Sequence, residues 1–99
     1  MKTWHDLLME ILKDPEEAAE YLNTVLSEGD SKMFLIALRN VAESRGGLRK
    51  ISRETRLNRA GLHRMLSKNG NPQVHTLVSL LDCFGLRLAV ETKDLKKAA

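Results

Sequence analysis

Eight lysines and arginines fall within the 24 residues from Arg45 to Lys68: Arg45, Arg49, Lys50, Arg53, Arg56, Arg59, Arg64 and Lys68, opposed by the single acid Glu54. Guanidinium groups at this density donate forked hydrogen bonds to phosphate oxygens and to the O6/N7 edge of guanine. The chemistry on offer is therefore recognition of nucleic acid rather than bond-making. Groups that could make or break bonds are dispersed. His5, His63 and His75 have no acid or thiol at ligand spacing, which argues against a zinc site. Cys83 sits beside apolar neighbours and reads as an inert, half-buried thiol. The glycines at 46, 47 and 70 match no phosphate-cradling loop. The expectation is no enzyme, no metal and no cofactor.

The arginines need rigid elements to aim them, and residues 48–66, LRKISRETRLNRAGLHRML, supply two short amphipathic segments joined by a three-residue turn. In the first, Leu48, Ile51 and Thr55 share one side and Arg49 and Arg53 lie opposite. The second opens on Asn58, an N-cap residue, and turns Leu62 and Leu66 inward while Ala60, His63, Arg64 and Ser67 face out. This is the pattern of a helix-turn-helix whose second helix has the shape and charge to enter a major groove of duplex DNA. The candidate DNA-binding residues are Asn58, Arg59, Ala60, Gly61, His63 and Arg64, with Arg49, Lys50, Arg53 and Lys68, beside Asn69 and Asn71, as flanking phosphate contacts. Arg59 and Arg64 suit guanine edges or phosphates, and the amides behind Asn58 suit a phosphate. Gly61 has two readings: close backbone approach to DNA, or relief of crowding against the preceding helix. The competing account of the whole stretch is a solvated basic surface on an ordinary helical bundle, which leaves the coincidence of caps, spacing and charge unexplained.

At 99 residues and 42% hydrophobic, the chain builds one core. A single domain over 1–99 is expected, with N-terminal helices in 1–45, the helix-turn-helix in 48–66, and a last helix and strand in 76–91. The net charge of +3 conceals a division. Residues 1–44 carry four Lys/Arg against nine Asp/Glu, a net of −5; residues 45–68 carry eight against one, +7; residues 69–99 carry four against three, +1. The positive peak coincides with the helix-turn-helix, the electrostatic footprint of a duplex-binding surface. No apolar run is long enough to span a membrane, the opening residues carry acids where a signal peptide would be apolar, and one cysteine forms no internal disulfide. A cytoplasmic protein is expected.

In chain order, Thr3 with Asp6 forms a capping box for a first helix carrying Trp4, Leu7, Leu8, Ile11 and Leu12. Asp14-Pro15-Glu16-Glu17 starts a second, in which Ala18, Ala19, Leu22, Val25 and Leu26 face inward and Glu16, Glu17 and Glu20 outward. With Glu28 these acids form a face suited to a basic partner protein. Gly29 ends that helix, and Asp30 or Ser31 caps a third with Phe34, Ala37, Leu38 and Val41 on its core side and Ile36 opposite. A last helix is expected from His75 or Thr76, with Leu77, Leu80, Leu81 and Phe84 on one face and Gly85 at its end. Residues 86–91 then alternate, predicting a short strand that turns Leu86, Leu88 and Val90 to one side. A lone strand in a helical chain has no internal partner, so pairing with the same strand of a second copy, or with a strand of another protein, is expected. The tail from residue 93 is expected to fray.

Taken in order, DPEEAAEYLNTVLSEGD, FLIALRNVAESRGGLRKISRETRLNRAGLHRMLSKNGNPQVHTL and LLDCFGLRLAVE resemble the Xre/Cro-like helix-turn-helix proteins, and within them the addiction-module antidotes, the HigA-like antitoxins. The resemblance covers roughly residues 14–91, and its specific part is the spacing from the paired glycines to GNP. It implies an all-α, lambda-repressor-like domain of five or six short helices. It also implies a type II antitoxin that neutralises a ribonuclease-type toxin by direct binding and, as a homodimer, represses its own operon at an inverted repeat. A stand-alone helix-turn-helix regulator without a toxin is the alternative. Two positions depart from the family pattern: Ser52 stands where alanine is favoured, and Arg56 where the turn often has glycine, at a cost of ~1 kcal/mol if the backbone there is left-handed.

Overall fold

The computed structural model describes residues 1–67 and 69–93. Lys68, and the expected fraying from residue 94 on, lie outside the described residues. Six helices follow one another: α1 (Trp4–Ile11), α2 (Pro15–Ser27), α3 (Ser31–Ser44), α4 (Gly47–Thr55), α5 (Arg59–Met65) and α6 (Val74–Cys83).

Short-range chemistry starts most of them. The Thr3 hydroxyl accepts from the Asp6 amide, and the Asp6 carboxylate accepts in return from the Thr3 amide. Asp14 accepts from the Glu16 amide ahead of Pro15, and Asp30 accepts from the amides of Lys32 and Met33. Each cap satisfies amides that an α-helix leaves unpaired in its first turn. The last helix departs from expectation: α6 is entered from Gln73, which makes no side-chain cap, and Val74, His75 and Thr76 form its first turn. Helix α4 also begins without a side-chain cap. Gly46 at φ +102° and Gly47 at φ +86° both adopt a backbone that other residues disfavour, letting α4 follow α3 almost directly.

The core collects one stripe from each helix: Leu12, Ala18, Leu22, Leu38, Val41, Ile51, Leu62, Leu66, Leu80 and Phe84 are buried. Helix α3 packs against α1, α2 and α4, and α4 in turn packs against α5 and α6. Ile51 is 0% exposed at the meeting of these helices, so a truncation there leaves a cavity rather than a solvated gap. Leu26, expected inside, is half exposed, and Ile36 is exposed on the side opposite the core.

Arg45 closes the seam where three helices end. Its guanidinium donates to the Phe84 carbonyl (3.0 Å) and to the Leu12 carbonyl from Nε (3.4 Å) and Nη2 (3.2 Å), and its charge lies 5.7 Å from the centre of the Phe84 ring. Leu12 and Phe84 are the C-caps of α1 and α6. A cation there answers the carbonyl ends of two helices at once.

The expected strand is not formed. No β-strand occurs among the described residues. After α6 the Gly85 amide donates to the Asp82 carbonyl (2.9 Å) and the Leu86 amide to the Leu81 carbonyl (2.8 Å), a Schellman closure that commits the first amide of the segment to the helix end. From there the chain runs extended, with Leu86 half-buried on the core, Leu88 exposed and Val90 fully exposed. Alternating residues satisfy an extended backbone with or without a ladder, and no ladder partner is present for Leu86, Leu88 and Val90 among the described residues.

Candidate nucleic-acid interface

In the region 47–65, α4 is followed by a turn of Arg56, Leu57 and Asn58 and then by α5. Ile51 and Leu62 hold the pair to the core, with Leu48 and Leu57 partly buried beside them. The turn depends on Arg56 at φ 62° and ψ 16°, among the described residues the one non-glycine position with positive φ. Two hydroxyls stabilise this backbone. Ser52 donates to the Leu57 carbonyl, and Thr55 donates to the Ile51 carbonyl (2.7 Å) while accepting from the Leu57 amide (3.2 Å). Ser52 is therefore more than a small residue at a tight contact: alanine there would remove the bond that ties α4 to the far side of the turn.

Asn58 caps α5 as expected, its side-chain oxygen accepting from the Gly61 amide at 2.8 Å. Arg59, Ala60, His63 and Arg64 are exposed and Gly61 partly so. Arg49 and Arg53 are exposed on α4, and none of Arg49, Arg53, Arg59 and Arg64 forms an ion pair among the described residues. A Cβ built on Gly61 would meet Asn58 at 3.6 and 3.7 Å, ordinary contact, and nothing on the preceding helix. Crowding against α4 is thus not what glycine relieves at this position.

Lys50 is set apart from the other candidates. It pairs with Glu54 at 3.9 Å and lines a depression shared with Met9, Lys13, Glu43 and Cys83, whereas Asn58, Gly61 and Arg64 line another with Asn69, Asn71 and Gln73. The close turn after α5 needs Gly70, because a Cβ there would collide with the Met65 carbonyl. One residue escaped the sequence reading. Arg39 of α3 reaches α5, with Nη2 lying 3.4 Å from His63 Nε2. A guanidinium only donates, so Arg39 is the donor in this contact. The separation of 24 positions gave no local signal of this contact.

The remaining reactive groups stay apart. Among the described residues, no three His, Cys, Asp or Glu side chains gather where they could hold a metal. Cys83 is half-buried, and its thiol donates to Glu54 Oε2 at 3.5 Å. Burial, and then the Glu54 carboxylate, push its pKa up, the opposite of what activates a thiolate nucleophile. No described helix is long and apolar enough to cross a membrane.

Comparison with known proteins adds a second line. The model of a family described as probable addiction module antidote proteins matches residues 5–92. An uncharacterized protein of Haemophilus influenzae is 33% identical over 82 residues, covering 83% of this chain and 84% of its own length. No solved structure matches.

Proposed function

The chain belongs to the probable addiction module antidote family, and from that premise we propose that it is the antitoxin of a type II module, acting on two partners through two surfaces. It neutralises a cognate ribonuclease-type toxin by covering it, a task that requires no reaction of its own. It also binds duplex DNA at its own operator through the outer face of α4 and α5, as a HigA-like, Xre/Cro-like repressor does. Two copies on an inverted repeat present their α5 helices to half-sites about 34 Å apart.

The observation that supports the DNA contact is the set of four exposed arginines, Arg49, Arg53, Arg59 and Arg64, without carboxylate partners among the described residues. Arginines left unpaired on a rigid helix pair are available to phosphates and guanine edges. The test is a mobility shift on the duplex upstream of the gene, titrated with salt. Log affinity is expected to fall against log salt with a slope of about −4 or steeper, because each neutralised phosphate contributes about −0.9. Arg64→Ala is expected to lose ~1 to 3 kcal/mol of operator affinity with toxin capture unchanged. Affinity that ignores salt, or joint loss of both activities in a folded variant, would overturn the assignment.

A further inference from the structure

Helix α1 has two apolar sides, and the core uses one. Leu8 and Met9 pack against the core and Leu12 is buried in it, while Trp4, Leu7 and Ile11, at i, i+3 and i+7, are 74%, 41% and 40% exposed. A tryptophan this exposed on an ordered helix is unusual, because tryptophan carries a large apolar area and dominates protein interfaces where it occurs. The helix holds the stripe ready: both halves of its capping box are made, and Lys2 pairs with Glu10 at 2.6 Å. At its C-terminal end the stripe runs into a groove between α1 and α2 lined by Leu8, Ile11, Tyr21, Glu17 and Glu20.

We propose that this stripe and groove are where the antidote grips its toxin, Trp4 entering an apolar pocket on the toxin and Glu17 and Glu20 meeting lysines or arginines at that pocket's rim. The inference rests on the antitoxin reading above and gives that reading its protein-binding surface. Charge selects the occupant. Residues 1–20 hold Lys2 and Lys13 against Asp6, Glu10, Asp14, Glu16, Glu17 and Glu20, and Glu16, Glu17 and Glu20 form no ion pair among the described residues. Nucleic acid and anionic lipid are repelled by such a rim. A second copy docked here would bring two segments of the same net negative charge together. A basic protein with an apolar pocket satisfies both features.

Trp4 is the chain's single tryptophan, so the full chain grown with 5-fluorotryptophan gives one fluorine NMR signal. The probes are the purified protein encoded by the adjacent reading frame and, separately, the upstream duplex. Adding the protein is expected to shift that signal to a saturated new position, and adding the duplex to leave it in place. Trp4→Ala is expected to weaken capture of the protein at least 30-fold, and Glu17→Lys with Glu20→Lys about tenfold, with duplex affinity held within twofold. Substitution at so exposed a tryptophan leaves the circular dichroism unchanged. If the wild-type chain captures the protein with the signal unmoved and Trp4→Ala captures equally well, the surface is wrong and the antitoxin reading survives. If the wild-type chain does not capture it, both fall. A signal that shifts with the concentration of the chain alone would show that a second copy covers the stripe, which also overturns the proposal.

Discussion

Two regions of this molecule use the same side chain for opposite ends. At the seam closed by Arg45, a guanidinium lies against the Phe84 ring and spends its donors on the carbonyls of Leu12 and Phe84. On the outer face of α5, Arg59 and Arg64 are exposed and form no ion pair among the described residues. Both belong to the run of eight cations that marks residues 45–68. A cation count therefore overstates the proposed binding face by at least one. An arginine packed among several helix C-termini is recruited as a clamp, whereas an arginine on the exposed outer face of a helix stays available to a partner.

The contrast can be broken by substitution. Arg45→Ala should have the largest effect, losing roughly 3 kcal/mol of stability in urea denaturation because one charged group serves two carbonyls and a ring. Arg45→Lys should recover less than half, since an ammonium lacks the fork that spans Leu12 and Phe84. A change under about 0.5 kcal/mol, the size expected of an ordinary surface substitution, would erase the distinction between the regions. Arg64→Ala should do the reverse: operator affinity falls as given above while urea stability stays within about 0.5 kcal/mol. Gly61→Ala sharpens the same face. With room for the Cβ, it should raise stability by up to ~1 kcal/mol through helix propensity, while weakening duplex binding if close approach is what glycine provides. Gain in stability with unchanged binding would assign Gly61 no role in contact. The smallest effect is chemical. Because burial and Glu54 raise the Cys83 pKa, iodoacetamide at pH 8 should label Cys83 more slowly than free cysteine, and Glu54→Gln should speed the reaction. Labelling at the free rate would remove the argument that this thiol is inert.

Most of the helices were legible because their starts are local. Thr3 with Asp6, Asp14 with Pro15, Asp30 and Asn58 each act within three residues of themselves, so letters alone locate them. Burial was legible for Leu62, Leu66, Leu80 and Phe84 by periodicity, and misread for Leu26 at the edge of its stripe. The strand over 86–91 failed for a reason of the same kind. Alternation describes an extended chain, but a strand also requires a neighbour, and the Leu86 amide is already given to Leu81. The start of α6 failed because Gln73 precedes the helix without a side-chain cap, leaving no letter to read.

By itself, then, the sequence determined where most helices begin, which side of each is apolar, and that positive charge accumulates around the turn between α4 and α5. Those properties follow from spacing, caps and ionisation, which act over one or two helical turns. Only the tertiary structure decided that Arg45 is a clamp, that Arg39 stands against His63 at 3.4 Å, and that Trp4 is left outside. Those outcomes depend on which carbonyls, rings and carboxylates the packing of α3 against its neighbours brings within hydrogen-bonding distance, across separations no local pattern encodes.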